Sequence, residues 1–296
     1  HHAAHRGHVE VVQLLCRLRA EVEAAGADGA TPLHACAAQG HEGVVRSLCE
    51  AAADASAGEQ AAGGDTDNFD LMSKDREFYT QTRAEQVLAP LMAKGASYSK
   101  VRLSSKSFGI DAANVVTKAF ANISSTLKEV DLSDIIAGRQ EDDALKAIQI
   151  ITEATLGANI TSVDVSDNAF GEKGVRACAA MLQQQKGIES ISFINNGISE
   201  QAAAAILELL ASPQSLKKFH LDKNMTGDDG VVHIAALLAK APNMEDFKMA
   251  GSRYTSDGAV MLAKGLAAGT SLNKIDLTDN NVNEEGGIAL AGMLYK

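Results

Sequence analysis

Two hydrophobic rhythms divide the chain. From residue 98 onward, short apolar–polar–apolar triplets recur: Val101-Arg102-Leu103, Val130-Asp131-Leu132, Val163-Asp164-Val165, Ile191-Ser192-Phe193, Phe219-His220-Leu221, Phe247-Lys248-Met249 and Ile275-Asp276-Leu277. Successive triplets lie 29, 33, 28, 28, 28 and 28 positions apart. Such alternation predicts strands with one face buried. A further apolar residue stands three positions before most of them: Leu127, Ile160, Ile188, Leu216, Met244 and Leu272. A helical stretch follows each triplet. Gly174, Ala202, Gly230, Gly258 and Gly286 keep register near the helix starts, where small residues let helix and strand layers approach. The first 50 residues follow another period. HHAAHRGHVEVVQLLC (1–16) recurs as HACAAQGHEGVVRSLC (34–49), offset by 33. His1, Ala4, Gly7 and His8 match His34, Ala37, Gly40 and His41, and Val11, Val12, Leu15 and Cys16 match Val44, Val45, Leu48 and Cys49.

The 33-residue period, with DGATPLH (28–34) ahead of its second copy, closely resembles the ankyrin repeat. Thr31 and Pro32 open a helix and Gly40 ends it. His1, His2, His5 and His8 then read as scaffold positions rather than as a metal cluster or a tag. Two copies are fewer than the three such arrays usually need, so more repeats are expected before His1. The later pattern, LxxLxLxxN, resembles the leucine-rich repeat in its long form. The expected fold is an α/β leucine-rich repeat horseshoe, ribonuclease-inhibitor-like, with 28-residue repeats, preceded by an all-α ankyrin segment. Expected boundaries are ankyrin repeats over 1–54, a flexible linker over 55–75, a helical cap over 76–97 and about seven leucine-rich repeats over 98–296, cut within the last one. The chain reads as a fragment at both ends.

The asparagine that closes the leucine-rich motif turns inward and satisfies backbone groups in the bend. Asn168, Asn196, Asn224 and Asn280 fill that ladder position, and Lys106, Ile135 and Ser252 replace it elsewhere. In ISFINNGIS (191–199) the ladder residue is Asn196. Asn195, one residue earlier, should point away from the ladder, at the rim where strand passes to helix. Asp167, Lys223 and Asp279 hold the equivalent position, so a polar residue there is ordinary.

Composition narrows the function classes. There is no Trp, aromatics make up 4%, and a core must come from many aliphatic and Ala contacts. The formal charge of −11 disfavours nucleic acid and suits a basic protein partner. Cys16, Cys36, Cys49 and Cys178 form no CxxC pair, which argues for a reducing compartment and no zinc site. No apolar run reaches membrane-spanning length and no signal peptide is visible. No P-loop, GxSxG or HExxH occurs, so an autonomous enzyme is disfavoured.

Several stretches go beyond a generic repeat: SFGIDAA (107–113), LKEVDLSDIIAGR (127–139), SDNAFGEKGVRA (166–177), NNGISEQAA (195–203), NMTGDDG (224–230), EDF (245–247) and DNNVNEEGGIALA (279–291). Together they resemble the Ran GTPase-activating protein family, especially its plant-type members, over about residues 76–296. The resemblance implies stimulation of GTP hydrolysis on the small GTPase Ran without an arginine finger, by ordering the GTPase's own glutamine. It implies a catalytic role for Asn195, whose amide both donates and accepts hydrogen bonds. It makes Arg139 partner-contacting, with Asp167 as a further rim contact. It implies no cofactor of the chain's own, since GTP and Mg²⁺ belong to the partner, a Ran-like GTPase in its GTP form. The ankyrin repeats would bind a different, unidentified protein. The implied setting is nucleocytoplasmic transport, in the cytoplasm. Plant-type members reach the nuclear envelope through a domain before their repeats, and this chain has ankyrin repeats in that place. The alternative is a non-catalytic protein-binding scaffold on the same fold.

Overall fold

The computed structural model describes residues 2–9, 12, 31–41, 43–45, 48, 67–71 and 76–295. They fall into two compact units, within His1–Gly64 and Asp65–Lys296.

In the first unit, helices His2–His5 and Pro32–Ala38 occupy equivalent places in the two copies of the repeat. Gly7 and Gly40 follow them, each with φ +73°, a left-handed turn that glycine adopts without penalty. A side chain on Gly7 would stand 2.8 Å from the His41 ring. His41 Nε2 lies 3.0 Å from the His5 carbonyl oxygen, which requires the proton on Nε2. Ala4, Val12, Cys36, Val44 and Leu48 form the local core. The repeated Gly-His pair thus has a packing role. Val11, Leu15, Cys16 and Cys49 lie outside the described residues.

The second unit is built on parallel strands. They are β1 (Asn68–Asp70), β2 (Glu77–Tyr79), β3 (Lys100–Arg102), β4 (Lys106–Phe108), β5 (Glu129–Asp131), β6 (Ser162–Asp164), β7 (Ser190–Ser192), β8 (Lys218–His220), β9 (Asp246–Lys248) and β10 (Lys274–Asp276). Eight make one sheet in the order β1-β3-β5-β6-β7-β8-β9-β10, and β2 pairs with β4 beside it. The strands begin one residue before the expected triplets. Their central residues, Phe69, Val101, Val130, Val163, Ile191, Phe219, Phe247 and Ile275, pair in register. The last residue of each triplet, such as Leu132 or Phe193, is buried just past the strand end, except Leu277 of the last repeat, which is partly buried. Helices follow, including Ile110–Ile123, Glu141–Glu153, Glu200–Leu209, Gly227–Leu238 and Ser256–Leu266. The helices are close enough that a Cβ on Gly230 would stand 3.2 Å from Glu200 Cα.

One expectation needs correcting. Strand β1 lies inside 55–75, the stretch expected to be a linker. Phe69 and Leu71 are 3% and 4% exposed, an apolar–polar–apolar triplet like the others. Thr66 stands where the earlier apolar residue would be, so the motif lacks its lead position. Residues 55–66 and 72–75 lie outside the described residues. Residues 76–97 hold helices Gln81–Val87 and Ala89–Met92, but begin with strand β2.

Buried amides tie the repeats together. Asn168 Oδ1 accepts the Ile135 N–H at 2.9 Å, Asn196 Oδ1 accepts the Asn168 N–H at 2.8 Å, and Asn224 Oδ1 accepts the Asn196 N–H at 3.0 Å. Asn280 Oδ1 continues the series with the Ser252 N–H at 2.9 Å. Each Nδ2 donates back to a preceding repeat: Asn168 to the Leu132 carbonyl, Asn196 to Val165, Asn224 to Phe193 and Asn280 to Met249. Ser252 substitutes its hydroxyl, which donates to the Leu221 carbonyl at 3.2 Å. Lys106 is also buried at this position.

The polar face of the sheet carries charges in cross-strand pairs. Arg102 meets Asp131 at 2.9 Å and Lys100 meets Glu129 at 3.2 Å. Toward the other end, His220 Nε2 lies 3.0 Å from Asp246 Oδ1, an ion pair only when the imidazole is protonated. Burial holds the His220 pKa below its ordinary value, and Lys218 and Lys248 push the same way against the pull of Asp246.

Two outcomes follow from this framework. Asn196→Ala leaves the Asn168 N–H without its partner and removes one of the two amides that donate to the Val165 carbonyl, the other being Asn168 Nδ2. At about 1–3 kcal/mol for a buried unsatisfied group, the second unit should lose roughly 1–3 kcal/mol, read from urea unfolding. A midpoint equal to that of an exposed-site control would refute the ladder's role. For His220, a folded pKa below the unfolded value near 6.5 means that the unfolded chain takes up the proton first. Its contribution to stability is therefore complete above that pH and is lost as pH falls through the folded pKa. The urea midpoint should drop between about pH 7 and about pH 5, and the drop should be smaller in His220→Gln.

Candidate functional site

Each strand runs into a loop whose fourth residue past the strand centre adopts left-handed backbone. The row is Ser105 (φ 62°), Asp134 (52°), Asp167 (59°), Asn195 (52°), Lys223 (58°), Gly251 (59°) and Asp279 (56°). Its N–H groups donate across the repeats: Asp134 to the Ser166 carbonyl, Asp167 to Ile194, Asn195 to Asp222 and Lys223 to Ala250, at 2.8–2.9 Å. These bonds extend the sheet's ladder beyond the strands and hold the rim rigid. A left-handed conformation costs an ordinary L-residue roughly 1–2 kcal/mol, and Asn, Asp and Gly bear it best. An asparagine at 195 therefore has a backbone reason. That cause was readable in the sequence as a row rich in Asp, Asn and Gly, and reading the row only as polar missed it.

Asn195 and Asp167 are both exposed, and they meet. Asn195 Nδ2 donates to Asp167 Oδ1 at 2.8 Å. This bond fixes the amide's rotation. It leaves the second Nδ2 proton and Oδ1 available, since no donor to Oδ1 exists among the described residues. Asn196, behind it, is fully buried in the ladder. The two adjacent asparagines thus face opposite ways.

Arg139 is not brought into contact with that pair. Its guanidinium reaches the strands at the start of the unit: Nε donates to Ser107 Oγ at 3.0 Å, and Nη2 donates to the Ser107 carbonyl at 2.7 Å and the Tyr79 carbonyl at 3.3 Å. It lies 5.1 Å over the Phe78 ring. A Cβ on Gly109 would stand 2.9 Å from Nη1, so the absence of a side chain there makes room for the guanidinium. Neither a solvated loop arginine nor a mobile finger fits these contacts. Two residues that sequence reasoning passed over join the rim: Arg76 donates to both oxygens of Asp134, at 2.7 and 2.6 Å. Among the described residues no group of three His, Cys, Asp or Glu side chains could hold a metal ion, and no helix is long and apolar enough to cross a membrane.

Comparison with known proteins shows what this chain is similar to. A family model for ankyrin repeats (3 copies) matches residues 1–58, and one for the leucine-rich repeat matches 158–177 and 270–291. The chain is 42% identical over 123 residues to RAN GTPase-activating protein 2 of Arabidopsis thaliana, covering 42% of this chain and 23% of that protein. It is 38% identical to RAN GTPase-activating protein 1 of the same plant, with the same coverage. The match thus spans about a quarter of the length of these curated relatives. Among solved structures, the tropomodulin C-terminal domain of Caenorhabditis elegans aligns with TM-score 0.39 and 12% identity, over 62% of this chain and 91% of that one. The chain matches family models for ankyrin repeats and for the leucine-rich repeat, and over 123 residues it is similar to the plant Ran GTPase-activating proteins.

Proposed function

We propose that the second unit is a GTPase activator for a Ran-like small GTPase in its GTP form. The observation that carries this reading is Asn195: exposed, on a rigid left-handed rim, with its amide oriented by Asp167. The strands form the inner wall of a horseshoe of 28-residue repeats, and the rim meets the partner's nucleotide site. GTP and Mg²⁺ are held by the partner. The chain supplies a neutral amide whose remaining donor and acceptor order the partner's glutamine, which in turn positions the attacking water. No arginine finger takes part. Arg139 is bound to Ser107 and Tyr79, which suits a fixed contact surface rather than insertion. The setting is the cytoplasm, where the activity sustains nucleocytoplasmic transport. The ankyrin repeats bind a separate protein.

A second reading, a non-catalytic scaffold, draws on the same rim. The left-handed backbone by itself accounts for an asparagine at 195. Single-turnover GTP hydrolysis by Ran, with trace amounts of the chain, separates the two. Asn195→Gly is the informative variant, because glycine keeps the backbone conformation and removes only the amide. The stimulated rate should fall on the order of a hundredfold or more, with Ran·GTP binding retained. An Asn195→Gly chain as active as the unmodified one would end the catalytic assignment. Binding of Ran·GTP without any stimulation by the unmodified chain would favour the scaffold.

A further inference from the structure

A second row of side chains runs beside the Asn195 row, six positions past each strand centre. It contains Ser107, Ile136, Ala169, Gly197 and Met225, and continues to Arg253 and Asn281. Phe78 pairs in register with Ser107 and extends the row by one repeat. Ser107 and Ile136 are buried, and Ala169 and Gly197 are small. Phe78 and Met225 are large, apolar and 54% and 50% exposed. The row therefore dips in the middle, beside the Asn195–Asp167 pair, and rises at either side.

Both prominences are held in place. The Met225 N–H donates to the Ile198 carbonyl at 3.1 Å, and Met225 Cε comes within 3.8 Å of where a Cβ on Gly197 would stand. The thioether thus lies back over the repeat that carries Asn195. Phe78 sits beneath the Arg139 guanidinium, and its ring edge lies 2.8 Å from where a Cβ on Gly138 would stand. Five repeat spacings of about 4.8 Å separate the two, roughly 24 Å along the sheet. That length fits within one protein–protein interface of about 800 Å² per partner. Met, Phe and Arg are among the residue types enriched at such interfaces, and Met adapts its shape to a partner surface.

We propose that Met225 and Phe78 are apolar anchors that seat the GTPase astride the rim, so that its nucleotide site meets Asn195 between them. This rests on the activator reading above. It assigns both side chains as positioning residues, acting on docking and not on the reacting atoms. The Arg139 guanidinium over its ring then serves to hold Phe78 in place.

The test is a titration of Ran·GTP hydrolysis against the full chain, reading the half-saturating concentration and the saturating rate separately. Met225→Ala and Phe78→Ala should each raise the half-saturating concentration about tenfold, as for a moderate hot spot, and leave the saturating rate within about twofold. Met225→Leu should recover most of the loss. Val232→Ala, at an exposed apolar residue on the Gly227–Leu238 helix, should change nothing. Urea midpoints on the same samples exclude unfolding, and the Met225 variants carry the test if Phe78→Ala is unstable. Unchanged titrations for the alanine variants, or losses confined to the saturating rate, would overturn the anchors and leave the activator reading standing. An unmodified chain that neither binds nor stimulates Ran would overturn both.

Discussion

The second unit depends on one requirement: every repeat must satisfy the backbone groups exposed where its strand turns into its loop. Buried amides meet that requirement. Asn196 accepts from the Asn168 backbone and donates to the Val165 carbonyl, so one side chain joins adjacent repeats at two points. An unpaired backbone group in that interior would cost more than most surface interactions contribute. Because the amide chain runs from repeat to repeat, the turn geometry is copied along the unit. Where the amide is missing at 252, a serine hydroxyl keeps the connection to the preceding repeat.

The same turn produces the rim. Once the ladder residue faces inward, its predecessor must take left-handed backbone and face solvent, and its N–H joins the next repeat's carbonyl. The rim is consequently a row of exposed and half-buried residues on bonded backbone, a rigid base for recognition. Asn195 and Asp167 are neighbours in that row because their repeats are neighbours. Structural and functional explanations of Asn195 are compatible: the backbone restricts the position to few residue types, and among them the amide alone offers both a donor and an acceptor without charge.

Charge is distributed differently over the two surfaces of the unit. On the polar face of the sheet, some acidic and basic side chains meet in cross-strand pairs, as Arg102 does with Asp131, while Asp164 stands beside the like-charged Asp131. Exposed pairs of this kind contribute little stability each. On the rim, Arg76 compensates Asp134, whereas Asp167 is met by a neutral amide and keeps its charge uncompensated in that contact.

Periodicity made much of this legible in the sequence. The triplets located the strands to within one residue, because alternating burial leaves a mark on every repeat. LxxLxLxxN separated Asn196 from Asn195, because an inward amide must recur and an outward one need not. The 33-residue repeat marked the histidines of the first unit as scaffold positions, and His41 packed against Gly7 shows such a contact for one of them. Strand β1 escaped because edge repeats have a neighbour on one side only and can lose part of the motif, as Thr66 shows. Pairings between distant segments were decided by tertiary structure alone: Arg139 folding onto Ser107 and Phe78, Arg76 reaching Asp134, and Met225 lying over Gly197. Such contacts are single events that leave no repeat in the sequence. They arise only when stacking brings loops from separate repeats to one rim.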